Sequence, residues 1–153
     1  MEPELAEKLA VQVLRTGHAL VRASRRVFRR HGISEAQFNV LNILASPPGG
    51  AGLSQREISD ILVVDRSNVT GLLDRMEAAG WVRREAVPGD RRAWRVRLTA
   101  AGRRLWQSCL PDYQRALTEV TAPLRATEAR IALAVLTTLE DNAGVSPPGA
   151  PES

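Results

Sequence analysis

The segment VPGDRRAWRVRLTAAG, from Val87 to Gly102, constrains this chain more than any other stretch. Trp81–Glu85 and Trp94–Leu98 alternate with a period of two, and the Pro-Gly-Asp between them is turn chemistry. That pattern predicts a hairpin with one dry and one wet face. Trp94, Val96 and Leu98 are expected on the dry face, Arg95 and Arg97 on the wet one, and Asp90, Arg91 and Arg92 at the tip. An isolated two-stranded hairpin is marginal in water, so this one must pack on something. Helical patterns lie on both sides of it.

Immediately upstream, Ser54-Gln-Arg-Glu57 is a capping box. Ile58, Ile61 and Leu62 follow at helical spacing and give a short buried face. After a turn at Val63 and Val64, Asp65 is a good N-cap for a second helix that reaches about Ala79 and stops at Gly80. Two short helices separated by so few residues have the spacing of a helix-turn-helix. On a helical wheel Val69, Leu72, Leu73 and Met76 point inward. Ser67, Gly71, Asp74 and Arg75 point out, flanked by Asn68 and Thr70, and Asp74 is expected to pair with Arg75 or with an arginine across the unit.

The flanks read as helices. Leu5, Leu9, Val13, Leu20, Val27 and Phe28 predict one helix from about Glu4 to Arg30, stopped by Gly32. Ser34 and Gln37 form another capping box, before a stripe of Phe38, Leu41, Leu44 and Ala45. Ser46–Gly52 is too rich in Pro and Gly to hold a helix. Thr99 caps a helix with Leu105, Cys109, Tyr113, Leu117 and Val120 near one face, and Pro111 should kink or break it near Leu110. Pro123 ends it, a last helix from Thr127 is expected to bury Ile131, Val135 and Leu139, and the tail from Gly144 reads as disordered.

Composition narrows the function. At 153 residues the chain has the size of one domain. It holds no apolar run of roughly 18 residues and no signal-peptide pattern, so no membrane partner and a cytoplasmic location are expected. A single cysteine, Cys109, excludes an intramolecular disulfide and a multi-cysteine zinc site. His18 and His31 are too few for a metal site of another kind. No nucleophile–base arrangement, glycine-rich phosphate loop or carboxylate pair stands out, so no cofactor and no enzyme are expected. The net charge is only +4, and Lys8 is the only lysine among the 21 basic residues. Distribution says more than the total. Arg91, Arg92, Arg95, Arg97, Arg103 and Arg104 fall in one stretch without an acid, which is the footprint of a phosphate binder.

These elements in this order predict a mainly α fold with a small β-hairpin wing (α+β), a winged helix-turn-helix. Small polar side chains on the outer face of the second helix suit the base edges of a major groove about 12 Å wide. The first turns of that helix make such contacts in this motif. Arg91 and Arg92 suit a narrow minor groove, with Asp90 orienting a guanidinium. A fold does not fix a function, so a winged-helix protein-interaction module without specific DNA binding stays open beside the DNA-binding reading.

The run LSQREISDILVVDRSNVTGLLDRMEAAGWVRREAVPGDRRAWRVRLTAAG, from Leu53 to Gly102, resembles the DNA-binding core of the MarR family of bacterial transcriptional regulators. The likeness lies in the capped recognition helix ending LLDRMEAAGWV, the DRR wing and the LTAAG that opens the next helix. It implies a homodimer on a pseudo-palindromic double-stranded operator, more commonly as a repressor. It also implies an N-terminal dimerisation helix over 1–32, a DNA-binding core over 33–102, C-terminal dimerisation helices over 103–143 and a tail over 144–153. By position, Asp65 and Arg92 match residues that fix the wing and contact DNA, with Asp90 and Arg91 beside them. Arg66, Ser67, Asn68, Thr70 and Arg75 match base- and phosphate-facing positions, and Ser54, Gln55 and Arg56 match backbone-contacting ones. Gly71 stands where some members carry Arg, which moves a base contact to Arg75 or removes it. Members commonly release DNA on binding small aromatic or phenolic ligands between the dimerisation helices and the winged unit. His18, Arg22 and Trp106 are the candidate lining for an anionic aromatic there. Members that sense oxidants use a Cys near the start of the first helix; this chain has none there, and Cys109 reads as a buried structural thiol.

Overall fold

The computed structural model describes residues 1–46, 49–62, 66–87 and 89–143; at 49, 66, 67 and 90–92 it describes the backbone alone. Among the described residues, six helices and one hairpin follow in the order α1 (Pro3–Arg30), α2 (Glu35–Ala45), α3 (Gln55–Leu62), α4 (Arg66–Ala78), β1 (Val82–Val87), β2 (Asp90–Leu98), α5 (Ala100–Thr121) and α6 (Ala126–Asn142). The expected boundaries hold because local chemistry sets them. Gly32 closes α1 with φ +67°, a conformation that only glycine adopts without strain. Ser34 Oγ accepts from the Gln37 amide at 3.2 Å while the Ser34 amide donates to Gln37 Oε1 at 2.8 Å. Ser54 and Glu57 repeat that box at the start of α3.

The core is built around α2. Phe38, Val40, Leu41 and Leu44 are buried there, against Ile58 of α3, Val69, Leu73 and Met76 of α4, Val96 of β2 and Cys109 of α5. Val40 lies off the expected stripe because α2 is enclosed by α1, α3, α4, α5 and the hairpin, so more than one face of it is dry. Phe28, Phe38 and Tyr113 stack where α1, α2 and α5 meet, with ring centroids 4.7–5.7 Å apart. Such offset aromatic groups add to what their buried area alone supplies.

The two strands pair antiparallel from Val82↔Leu98 to Ala86↔Trp94, with an irregularity before Val87↔Asp90. A third segment joins them. Leu53 bridges Val96, its amide donating to the Val96 carbonyl at 3.1 Å and the Val96 amide returning the bond at 2.7 Å. This short contact ties the hairpin to the start of α3. One residue of strand is too little to show as periodicity.

Several expectations are corrected. Within Ser46–Gly52, Gly49–Ala51 forms one 3-10 turn, a unit short enough to tolerate glycine. Trp94 is 52% exposed, because the dry face of β2 ends at Val96 and Leu98. Arg95 and Arg97, expected in water, are half-buried. The Arg95 guanidinium donates to the Gly52 carbonyl at 2.6 Å, and Arg97 Nε lies 2.8 Å from Glu85 Oε2. Helix α5 runs unbroken through Pro111. Pro111 and Gln107 are exposed, so the carbonyl that loses its helical donor meets water, and the packing of Cys109, Leu110 and Tyr113 holds both halves in line. Finally, α6 buries no residue, and Ile131 and Val135 are 65% and 46% exposed. The tail from Gly144 lies outside the described residues.

Candidate nucleic-acid interface

Helix α4 is fixed from inside. Val69, Leu73 and Met76 have no exposed surface, and Leu72 is nearly as dry, so rotation of the helix would unbury its whole apolar side. The opposite side is presented to solvent, with Asn68, Thr70, Asp74 and Arg75 all exposed. Gln55 Nε2 donates to Thr70 Oγ1, linking α3 to α4 across the turn. At Gly71 an added Cβ would lie 3.4 Å from Arg75 Nη1. The Arg75 guanidinium thus lies along the helix beside the glycine, in space that a larger residue would take. Arg56 is exposed and only loosely paired, 3.8 Å from Asp60, an arrangement worth little in water and easily exchanged for a phosphate. Ser54 is occupied by the cap of α3.

A residue that the sequence reading passed over joins the hairpin to this helix. Arg84 of β1 donates through Nη2 to Asp74 Oδ1 at 2.6 Å and through Nη1 to Glu77 Oε2, and its amide donates to Glu77 Oε1 at 2.9 Å. Burial works against the charge, yet the two carboxylates outweigh it and raise the Arg84 pKa further. Asp74 therefore finds its partner across the unit and not at Arg75, and its negative charge is offset on the face that would meet DNA. The signal present in the sequence was the i, i+3 spacing of Asp74 and Glu77, which places two acids on one side of α4. Nearby, burial pushes the Glu57 carboxyl up, but its bonds to Ser54 and the Arg95 charge outweigh this and hold it below the usual range.

The rest of the expected DNA surface is only partly described. Asp65 lies outside the described residues, and Arg66 and Ser67 open α4 as backbone alone. Asp90, Arg91 and Arg92 begin β2 as backbone, directly after Gly89, whose φ of +85° makes the tip turn possible.

A cleft of about 210 Å³ lies between α1, α2 and α5. Leu20, Val21, Phe28 and Leu117 supply its apolar walls. Its polar lining is Ser24, Glu35, Asn39 and Tyr113. His18, Arg22 and Trp106 are not part of that lining. His18 and Arg22 are exposed along α1, and the Trp106 indole donates to Asn42 Oδ1 at 3.1 Å. Cys109 is buried; desolvation, with a smaller push from Asp112, raises its thiol to about 11.

Comparison with known proteins agrees with this geometry. The MarR family profile matches residues 31–93. The chain is 33% identical over 104 residues to the transcriptional activatory protein BadR of Rhodopseudomonas palustris, covering 68% of this chain and 59% of BadR. It thus spans about three fifths of that relative's length. It is 28% identical over 124 residues to the homoprotocatechuate degradative operon repressor of Escherichia coli, covering 81% of this chain and 77% of the repressor. The crystal structure of a mutant MarR from Escherichia coli complexed with operator DNA superposes with a TM-score of 0.77 at 27% identity, over 86% of this chain and 93% of that one. Regulators, not enzymes, are what the chain resembles. With a capped helix-turn-helix, a hairpin pinned to it through Leu53 and Arg84, and flanking long helices, the chain belongs to the MarR family of winged-helix transcriptional regulators.

Proposed function

We propose that the chain works as a cytoplasmic homodimer that binds a pseudo-palindromic operator and regulates transcription from it, in the repressing sense that is the family's commoner habit. The observation that carries this reading is the coupling of α4 to the hairpin. Asp74 and Glu77 grip Arg84, which ties the exposed face with Asn68, Thr70 and Arg75 to strand β1 of the arginine-bearing hairpin. A two-point arrangement of this kind suits duplex DNA, with α4 in a major groove and the tip over the adjacent minor groove. Ser54, Gln55 and Arg56 at the start of α3 are then assigned to the phosphate backbone, Arg66 and Ser67 at the start of α4 to base edges and phosphates, and Arg91 and Arg92 to the minor groove, with Asp90 orienting the Arg92 guanidinium and Asp65 helping to fix the wing. The operator-bound MarR structure of the same fold supports DNA as the partner of this surface.

The second copy is argued from surface chemistry. Leu5, Val11 and Leu14 on α1, and Ile131, Leu133, Val135 and Leu136 on α6, are large apolar side chains left in water by one chain. Large apolar side chains left exposed in that number on two long helices near the chain ends suit the dimer that the family resemblance implies. The effector is assigned to the cleft between α1, α2 and α5, from which a small aromatic ligand would loosen operator binding.

Nuclease footprinting on the intergenic DNA upstream of the gene tests this reading. Protection of two half-sites about 34 Å apart, roughly one helical turn, is the expected result. Uniform protection with no preferred site would contradict specific regulation and would favour the protein-interaction reading.

A further inference from the structure

The cleft is apolar and aromatic on most of its wall, yet its one ionisable acid is Glu35, and no Arg, Lys or His lines it among the described residues. Glu35 is the first residue of α2 and is half-buried, with Asn39 one turn further along the same helix. Facing them, Phe28 and Tyr113 stack with centroids 5.7 Å apart. Carboxylate and ring faces attract the same kind of ligand, because the face of an aromatic ring carries negative potential. Three nearby basic side chains, His31, Arg115 and Arg30, all act on Asp112, next to Tyr113 on α5. Burial first, and then the Glu35 charge, push the Tyr113 phenol up, so it remains a neutral donor. An anionic aromatic entering here would meet a carboxylate with no cation to offset it.

We propose that this cleft takes a small protonated amine carried on a single aromatic ring, with the Glu35 carboxylate as counter-ion and Phe28 and Tyr113 as the walls that select the ring. Its volume suits that size, since a cavity of about 150 Å³ accommodates benzene. The inference rests on the effector reading above and reverses the ligand charge that His18 and Arg22 implied. Occupancy by the amine lowers operator affinity.

Isothermal titration of the full-length protein at neutral pH tests it with three probes of like shape: 2-phenylethylamine, 2-phenylethanol and phenylacetate. The amine is expected to bind on the order of tenfold more tightly than the alcohol, and phenylacetate more weakly than either. Glu35→Gln should erase the advantage of the amine and leave the alcohol unchanged, while Asn39→Asp should widen it. Thermal melts of both variants check that the fold is intact. Phenylacetate binding as tightly as the amine, or an amine preference that survives Glu35→Gln, would overturn the charge assignment and leave the effector reading standing. If none of the three binds, the cleft is no ring-sized site, and both this inference and the effector reading fail.

Discussion

At the residue scale, the side chains that matter most here are charged groups whose partners decide what they do. Asp74 on the outer face of α4 would repel phosphates if left alone, and Arg84 is what makes it tolerable. Replacing Arg84 by Met keeps its stem against the core but strands two carboxylates. Loss of about 1.5–3 kcal/mol in folding stability is expected from chemical denaturation, the range for hydrogen bonds to charged groups; an unchanged midpoint would show that the clamp carries no energy. Arg92 is assigned a direct DNA contact, so Arg92→Ala should weaken operator binding by about 1–3 kcal/mol without changing the melt. Cys109 belongs to the opposite class. A buried thiol raised to about 11 is almost wholly protonated at neutral pH and should ignore alkylating reagents until the protein is unfolded. Rapid labelling of the native protein would contradict its structural role.

At the element scale, the parts most legible in the sequence were those governed by local chemistry. Both capping boxes, the Gly32 stop and the Thr99 cap are set by residues within four positions of each other, and they form as read. What stayed hidden depends on residues distant in the chain. The Leu53–Val96 bridge, the Arg84 clamp and the half-burial of Arg95 beneath Gly52 join elements whose approach no local period encodes. Pro111 misled for the same reason, since tertiary packing overrides a local break. The lining of the cleft between α1, α2 and α5 was not legible, because which of the polar residues on α1 and α2 faces inward depends on how three helices meet. One close approach lends itself to a test. A Cβ on Gly102 would lie 2.0 Å from the Trp81 carbonyl oxygen, at the junction where Thr99 caps α5. Gly102→Ala, ordinarily favourable within a helix, should here destabilise by about 1–3 kcal/mol, the range of an overpacked core. A variant as stable as the parent would mean that α5 shifts away from the hairpin freely.

At the scale of the whole molecule, the winged unit and the long terminal helices differ in how much they bury. The winged unit buries its apolar residues well, whereas α6 has no buried residue of its own and α1 is buried only from Ser24 onward. Under the homodimer reading proposed above, a second copy covers both faces at once. Ile131→Arg together with Leu136→Arg should therefore shift the protein from dimer toward monomer in sedimentation equilibrium and should weaken operator binding in step, since two half-sites need two recognition helices. A double variant that stays dimeric would move the interface elsewhere. No described helix is long and apolar enough to cross a membrane.

Whether α4 and the hairpin read DNA sequence is tested by a fluorescence-anisotropy titration. The protein is titrated against a duplex from its own upstream intergenic region and against a scrambled duplex of the same composition, each at two salt concentrations. The account predicts tight binding to the native duplex, a clear preference over the scrambled one, and affinity that falls steeply with salt as phosphate counter-ions are released. Equal, weak binding to both duplexes would contradict it.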